Sequence, residues 1–322
     1  PAGKVGISMS GGIDSTTLAA CAVAAAGEPA RVVAECAYYE RLMPDDEATF
    51  AGLAARHLGI DLQARAVDDL IYDPGWRDRS DGGAEPAMAV IAHRPEQMMA
   101  AEQAARSPVW FFGEGPDNAL VFERQSYLSW LVRRGYWGRL GEALFLYLKA
   151  KGRRGWRQTM RSYLGRDDSA SAEPDTSCWL DRGLADRLDQ EARLARLTAS
   201  NPKAHPWHPR AVASFASPVW TAMFDGFDRD ESLAPMVWRH PYLDLRVLGF
   251  LLSVPPVPWA REKLLMREAM RGQLPDAVLS RPKTPLAGTP LAGAIAAHGL
   301  PPLSGAPPLA HYVDLRALPE QL

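Results

Sequence analysis

The segment at residues 10–15, Ser-Gly-Gly-Ile-Asp-Ser, brings two glycines, two hydroxyls and one carboxylate into six positions. It stands between a β-type run at 3–9 and a helix-forming run at 16–26 that Gly27 closes. Such a unit favours phosphate binding, because unpaired backbone amides and the positive end of the helix dipole both attract an anion. A carboxylate at Asp14 would repel phosphate unless a cation lay between them, so the segment also predicts a magnesium site. A Ser/Gly turn that only caps the helix is the simpler interpretation, and the flanking strand and helix count against it.

A second segment with reactive side chains is Phe-Gly-Glu-Gly-Pro-Asp-Asn-Ala-Leu at 112–120. It follows the apolar run at 109–112, which is typical of a strand buried on both faces. Its glycines allow close backbone approach, and Glu114 and Asp117 would place carboxylates at the edge of a sheet where ligands bind. Taken alone, the segment is better explained as a tight turn.

A third set of residues lies far downstream. Arg-His-Pro-Tyr-Leu-Asp at 239–244 leads into an apolar helix predicted at 245–254, and Lys263 follows. The triplet Arg-Pro-Lys then ends at Lys283. Taken singly, Lys263 and Lys283 are surface lysines by default.

The elements that must position these segments alternate between strand and helix over residues 1–125. We predict strands at 31–38, 62–67 and 109–112, a helix that begins at the acids 45–47 and ends at Leu58 before Gly59, and a loop at 72–86. This alternation predicts an α/β fold, a doubly wound parallel sheet with additional helices, whose ligands sit at the carboxyl ends of the strands. Ser10 and Gly113 both lie just past such ends.

Composition bounds the environment of the protein. The 322 residues carry a net charge of −2, which gives no reason to expect a nucleic acid as partner. No apolar run is long enough to span a bilayer, and no signal peptide opens the chain. Cys21, Cys36 and Cys178 form neither a metal pattern nor a disulfide framework, which favours a reducing compartment. We therefore expect a cytoplasmic protein without nucleic-acid or membrane partners.

Residues 122–166 are helical and basic in character, with interleaved aromatics. The basic residues are Arg133, Arg134, Arg139, Lys149, Lys151, Arg153, Arg154, Arg157, Arg161 and Arg166, and the aromatics are Trp130, Tyr136, Trp137 and Trp156. One interpretation is a surface for a peptide, a partner protein or a polyanion. The other is a solvated helical face whose aromatics pack inward.

Together, the three segments resemble the synthetase domain of the asparagine synthetase family, a branch of the N-type ATP pyrophosphatases. The resemblance covers about residues 4–290. It implies one synthetase domain over 1–322, in which 1–121 form the ATP-binding core, 122–235 the basic helical segment, 236–300 the lysine-bearing part and 301–322 a Pro-rich tail. Asparagine synthetases obtain ammonia from a glutaminase-like domain, and we expect none before residue 10. We expect that the amine comes from elsewhere, or that an N-terminal part has been removed or is encoded separately.

The resemblance also implies the cofactors ATP and Mg²⁺ and a role for each matching position. The backbone at Ser8 and at 37–38 contacts adenine, and Gly113 lies against the nucleotide. The pyrophosphate is cradled by Ser10, Gly11, Gly12 and Ser15, and Mg²⁺ is held by Asp14 and Asp117. Lys263 and Lys283 neutralise the β- and γ-phosphates, and Glu114 is the base that takes a proton from the attacking amine. A carboxylate thus attacks the α-phosphate of ATP, and an amine then displaces AMP to form an amide.

Three departures from the asparagine-forming pattern bear on which amide is made. The residues after Asp117 are Asn-Ala-Leu, where the family has Glu, an aromatic residue and glycines. The run Lys-Thr-Pro-Leu-Ala-Gly at 283–288 and the run Pro-Val-Pro-Trp at 256–259 also differ. These features look like lasso peptide cyclases, which join an Asp or Glu side chain of a precursor peptide to the N-terminal amine of that peptide. The resemblance implies a precursor peptide as substrate, with a leader-peptide-binding protein and a leader peptidase as partners.

Other functions compete with this one. An asparagine synthetase that uses ammonia is the nearest alternative. A tRNA-thiolating enzyme would need catalytic cysteines, and none of the three is in a paired motif. A β-lactam synthetase would have tyrosine where Glu114 stands. A non-catalytic scaffold would have no need of both Lys263 and Lys283.

Overall fold

The computed structural model describes residues 3–73, 75, 93–149, 180–198, 205–231, 235–283, 290–298, 311–314 and 316. Its centre is a sheet of five strands: β1 (Val5–Ser8), β2 (Val32–Tyr38), β3 (Asp61–Ala66), β4 (Val109–Phe111) and β5 (Val237–Arg239). All neighbouring strands are parallel, in the order β3-β2-β1-β4-β5. The predicted doubly wound α/β fold is confirmed. The edge strand β5 was not among the predicted strands.

The strand order reverses direction at β1. From β1 the sheet grows through β2 to β3, and the chain then returns to the other side of β1 with β4 and β5. Gly6 pairs with Trp110 and Ile7 with Phe111 across the junction. Loops that leave neighbouring strands in opposite directions open a crevice at such a switch point, and ligands of doubly wound sheets bind there. The loops that follow β1 and β4 border this crevice.

Helices account for most of the remaining described chain. They are α1 (Ile13–Ala26), α2 (Glu47–Leu58), α3 (His93–Arg106), α4 (Pro116–Ala119), α5 (Arg124–Arg134), α6 (137–149), α7 (Arg182–Leu188), α8 (Gln190–Thr198), α9 (Pro209–Phe215), α10 (Val219–Glu231), α11 (Leu245–Ser253), α12 (Pro256–Trp259), α13 (Leu264–Ala269), α14 (Asp276–Ser280) and α15 (Pro290–His298). None of the helices in these ranges is long and apolar enough to cross a membrane.

Local signals in the sequence explain where the first helices stop. Gly27 and Gly59 adopt left-handed backbone with φ of 71° and 68°, and the N–H of each closes the last turn of α1 and α2. This conformation costs glycine nothing, so both helices end where predicted. At the start of α2, Asp46 makes no side-chain cap, and Asp45 instead accepts the N–H of Glu47 at 2.7 Å.

The core lies on both faces of the sheet. Ile7, Val32 and Cys36 pack with α1 and α2 on one side, and Trp110 is fully buried with Val33 on the other. Burial raises the pKa of Cys36 to about 12, so its thiol stays protonated. Cys21 is also unpaired, and Cys178 lies outside the described residues.

The described part of the basic segment has one aromatic side chain packed inward and two that are exposed. Trp130 packs against the cluster that α5 and α6 bury, whereas Tyr136 and Trp137 are 45% and 65% exposed. Arg133 and Arg139 are exposed. Outside the described residues lie the basic and aromatic residues predicted at 151–166, and most of the predicted loop at 72–86 and of the predicted tail at 301–322.

We predict that Gly6→Ala destabilises the protein by about 1–3 kcal/mol, because it overpacks the core. A Cβ at Gly6 would lie 2.3–2.7 Å from ring atoms of Trp110. The Trp110 ring has little freedom to move, since its Nε1–H donates to the carbonyl oxygens of Gln103 at 3.0 Å and Ser107 at 3.1 Å. Chemical denaturation measures the free energy of unfolding.

Gly138→Ala is the matched control. A Cβ at Gly138 meets no atom within 4 Å, and the residue lies within α6. Alanine should therefore stabilise the protein slightly, by about 0.5–1 kcal/mol. Equal unfolding free energies for the two variants would contradict the packing of Trp110 on β1.

Candidate active site

The predicted phosphate loop joins β1 to α1 and is ordered by its own hydroxyls. Ser15 Oγ donates to the carbonyl oxygen of Ser10 at 2.7 Å, and the two Oγ atoms lie 3.0 Å apart. Gly12 is the N-cap of α1 and supplies no side chain to its first turn. The first amides of a helix have no intrahelical acceptor, so those that follow Gly12 are available to an anion.

Four charged side chains meet at the mouth of this loop. Lys263 Nζ contacts Asp14 Oδ2 and lies 2.7 Å from Asp117 Oδ1. Lys283 Nζ lies 2.7 Å from the same Asp117 oxygen. The Lys263 side chain is 11% exposed and that of Lys283 is 72% exposed, so Lys263 lies inside the cluster and Lys283 at its rim. The structure thus brings together residues that the sequence places in three separate segments.

Burial and charge set the ionisation of the two aspartates in opposite directions. Burial raises the pKa of Asp14, although the ammonium of Lys263 opposes this effect. The pKa of Asp117 is lowered, because its contacts with Lys263 and Lys283 outweigh the effect of its own burial. A buried carboxylate beside a second one is stable only with positive charge nearby, and Lys263 supplies it to both.

The aspartates also fit a magnesium site. Asp14 Oδ1 is buried without a hydrogen-bond partner, which leaves one oxygen free to bind a cation. Mg²⁺ at nucleotide sites typically takes one or two carboxylates, and phosphate oxygens and waters complete its shell. Within the described ranges no cluster of three or more potential metal ligands occurs.

The backbone around Lys263 is unusual. Glu262 and Lys263 have φ of 49° and 55°, the left-handed region that non-glycine residues seldom occupy. Such residues cost roughly 1 kcal/mol or more and occur often at functional sites. Arg267 holds this turn, because its Nε donates to the carbonyl oxygen of Glu262 at 2.7 Å and its Nη2 to that of Arg281 at 2.9 Å. Arg267 therefore joins the two segments that bear the lysines.

Tyr242 connects the loops after β1 and β4. Its hydroxyl donates to the carbonyl oxygen of Asp14 at 2.8 Å. Its Cβ would lie 3.2 Å from a Cβ at Gly115, and Leu243 Cδ2 would be 2.9 Å away. Gly115 also has φ of 121°, so glycine is required there both for space and for conformation.

The other predicted residues lie around this cluster. A Cβ at Gly113 would approach Ser15 N to 3.4 Å, so the two loops are in contact. Glu114 is the next residue, and its side chain is in part exposed to solvent. The pKa of Glu114 is raised, first because the protein removes part of the water around the carboxylate, and then because Asp117 and Asp14 are negatively charged. Ser8 ends β1 beside Glu35 of β2. Gly11 donates its N–H to Glu47 Oε2 at 2.5 Å, so that amide already has an acceptor.

A cavity of about 370 Å³ opens beside the cluster. It is lined by Gly12, Ile13, Asp14, Glu47, Asp117, Leu120, Phe122, Ala260, Glu262, Lys263, Arg267, Arg281, Pro282 and Lys283. Sequence reasoning missed Glu47, Arg267 and Tyr242. Glu47 was interpreted only as an acid in the first turn of a helix, and only its contacts with distant residues place it in the site.

Comparison of the sequence with known proteins identifies its family. The sequence profile of the family described as Asparagine synthase matches residues 2–300, which is most of the chain. No curated protein matches the sequence.

We predict that Lys263→Met lowers thermal stability without Mg²⁺ and that added Mg²⁺ raises it more than in the wild type. Without the ammonium, Asp14 and Asp117 repel each other, and a cation that binds the folded state stabilises it by mass action. In the wild type, Mg²⁺ must compete with Lys263, which contacts both carboxylates. The shift of the unfolding midpoint on adding MgCl₂ measures the difference.

Lys283→Met is the control for charge removal, because it leaves Lys263 between the two carboxylates. Its Mg²⁺-induced shift should match that of the wild type. An equal shift in Lys263→Met would rule out a cation site between Asp14 and Asp117.

Proposed function

Because the chain belongs to the asparagine synthase family, a family of ATP-dependent ligases, we propose that it forms a macrolactam in a precursor peptide, as lasso peptide cyclases do. An Asp or Glu side chain of the peptide attacks the α-phosphate of ATP, which gives an acyl-adenylate and releases pyrophosphate. The N-terminal amine of the peptide then displaces AMP and closes the ring. The observation that carries the ATP half of the proposal is the meeting of Asp14, Asp117, Lys263 and Lys283 at the switch point of the sheet.

Each group in the cluster has a part in the first step. The free amides at the start of α1 and the hydroxyls of Ser10 and Ser15 bind the pyrophosphate part of ATP. Asp14 and Asp117 hold Mg²⁺, which when bound offsets the negative charge of the triphosphate. Lys263 and Lys283 exchange their aspartate contacts for phosphate oxygens. Positive charge placed there favours the transition state, in which negative charge grows on the leaving pyrophosphate.

Glu114 serves the second step. The attacking amine must lose a proton as the amide forms, and a carboxylate is a suitable acceptor when its pKa is raised toward neutrality. The pKa of Glu114 is raised, and its exposed side chain follows Gly113, which contacts the phosphate loop. This placement supports Glu114 as the base beside the acyl-adenylate.

The residues that follow Asp117 favour a peptide over free aspartate. Asn118 donates to Ser214 Oγ, and Ala119 and Leu120 are buried in the core. Asn118 and Ala119 therefore serve packing, and Leu120 presents an apolar side chain to the cavity. The described cavity lining also includes the apolar side chains of Phe122 and Pro282.

The cations of the cavity give a second argument. Arg267 donates to backbone carbonyls and Arg281 pairs with Glu47. Lys263 and Lys283 are assigned to phosphate. Among the cations of the described lining, none is then left for the α-carboxylate of a free amino acid, whereas a peptide carries no such charge beside its reacting side chain.

We expect the protein to convert ATP to AMP and pyrophosphate with a matching precursor peptide, which loses one water. The assay combines the protein, MgATP and candidate peptides, and follows nucleotide by chromatography and peptide by mass spectrometry. Free aspartate with ammonium is the parallel arm. AMP formed there, and with none of the peptides, would shift the assignment to an ammonia-using asparagine synthetase. Production of ADP would exclude adenylation altogether.

Glu114→Gln should separate the two steps. Adenylation does not need the base, so pyrophosphate exchange into ATP should persist in the presence of peptide while cyclised product falls by about 100-fold or more. In the wild type, the rate of ring closure should fall as pH is lowered through the raised pKa of Glu114, because the protonated carboxyl cannot accept a proton. The variant should lack that dependence. Loss of both steps together in Glu114→Gln would contradict the role as base.

A further inference from the structure

The carboxylate of Glu47 contacts two parts of the site at once. Its Oε2 accepts the N–H of Gly11 at 2.5 Å, and Arg281 donates to its two oxygens at 3.1 and 3.2 Å. We propose that Glu47 and Arg281 are a pair of positioning residues that fix the phosphate loop relative to the segment that ends in Lys283. The inference deepens the proposed function and rests on it for the roles of the loop and of Lys283.

Arg281 is immobilised along its whole length. Its side chain is 10% exposed and its guanidinium lies 4.4 Å from the centroid of the Phe50 ring. Its backbone carbonyl accepts from Arg267 at 2.9 Å. The ion pair, the contact with the aromatic face and the backbone hydrogen bond together restrict the movement of Arg281. Lys283 projects from the chain two residues beyond it.

The phosphate loop packs directly on the pair. A Cβ at Gly11 would lie 2.6 Å from Arg281 Nη1 and 2.4 Å from Phe50 Cβ. Any larger residue would separate the loop from α2. Glycine at this position therefore allows the loop backbone to lie against Glu47, Phe50 and Arg281, and its amide is oriented by the Glu47 carboxylate.

Charge explains why both members are needed. The pair lines the same cavity as Asp14 and both lysines, so a lone carboxylate at Glu47 would repel a bound triphosphate. Arg281 neutralises that carboxylate, and Glu47 can then orient the loop without weakening the anion site. Removal of Arg281 leaves an uncompensated, largely buried negative charge, which is the costly outcome for such a pair. Removal of the Glu47 charge leaves an extra positive one, which phosphate tolerates.

These opposite consequences define a double-mutant test with MgATP as ligand and calorimetry as the readout. Arg281→Met, which keeps the apolar stem over Phe50, should weaken ATP binding by about tenfold or more. Glu47→Gln, which keeps an acceptor for Gly11, should bind ATP within about threefold of the wild type. The double variant should also return to within about threefold, because the uncompensated carboxylate is gone. Thermal unfolding of each variant verifies that it is folded.

Arg271→Met is the matched control. Arg271 pairs with Glu268 on an exposed surface, where the two side chains are 71% and 42% exposed, and its loss should leave ATP affinity unchanged. Wild-type affinity in Arg271→Met together with a rescued double variant would support the charge compensation within the pair, and turnover tests the positioning. Unchanged binding in Arg281→Met, or a double variant as weak as Arg281→Met, would overturn it.

Turnover adds a readout that a merely structural role would not produce. With whichever substrate proves active, Glu47→Gln should lower kcat by about tenfold with little change in the KM for ATP. The reason is that the backbone that carries Lys283 is then held less firmly relative to the phosphate loop. A rise in the KM for ATP as large as the fall in kcat would contradict a positioning role. ATP binding needs no peptide, so a failure of the macrolactam assignment would leave the calorimetric test intact.

Discussion

The contact of Lys263 with Asp14 and Asp117 is the interaction on which the rest of the site depends. Two carboxylates at the crevice of a parallel sheet repel each other, and burial makes the repulsion worse. A cation between them removes the penalty, and the chain supplies it with Lys263, which lies 249 residues after Asp14. The strained backbone at Lys263 is tolerated because Arg267 holds it. In the proposed reaction, the two aspartates would hold Mg²⁺ in place of the lysines, and the lysines would contact phosphate oxygens in place of the aspartates.

Sheet topology determines which parts of the chain can reach that cluster. Because β1 lies between β2 and β4, the loops that follow β1 and β4 emerge side by side, and Tyr242 then connects them from the turn after β5. The two segments that bear Lys263 and Lys283 are joined to each other by Arg267. The three motifs therefore meet in space because they follow the neighbouring strands β1, β4 and β5, and not because they are close along the chain.

Sequence reasoning succeeded where the determinants are local. A strand, a glycine-containing turn and a capped helix are encoded within about 25 residues, so β1, the loop and α1 could be predicted, as could the end of α2 at Gly59. Strand β5 could not, because three residues with no alternation become a strand only by pairing with β4. Glu47 and Arg281 likewise acquire their role through a contact across 234 positions. Trp130 packs inward and Trp137 is exposed, and this difference depends on how α5 and α6 pack against each other.

Two kinds of side chain serve the two halves of the proposed reaction, and this difference explains why one half is easier to assign. The ATP half uses charge, which must be balanced wherever it is buried, so its residues leave a clear pattern of carboxylates, lysines and glycines. The acyl half uses shape, and the lining residues Leu120, Phe122 and Pro282 resemble any packed apolar surface. A free aspartate has charged backbone groups that need partners in its binding site. An aspartate within a peptide lacks these groups, so its site needs no such partners. The apolar side chains of Leu120, Phe122 and Pro282 are consistent with the proposed peptide substrate, because they line the cavity without supplying a charge.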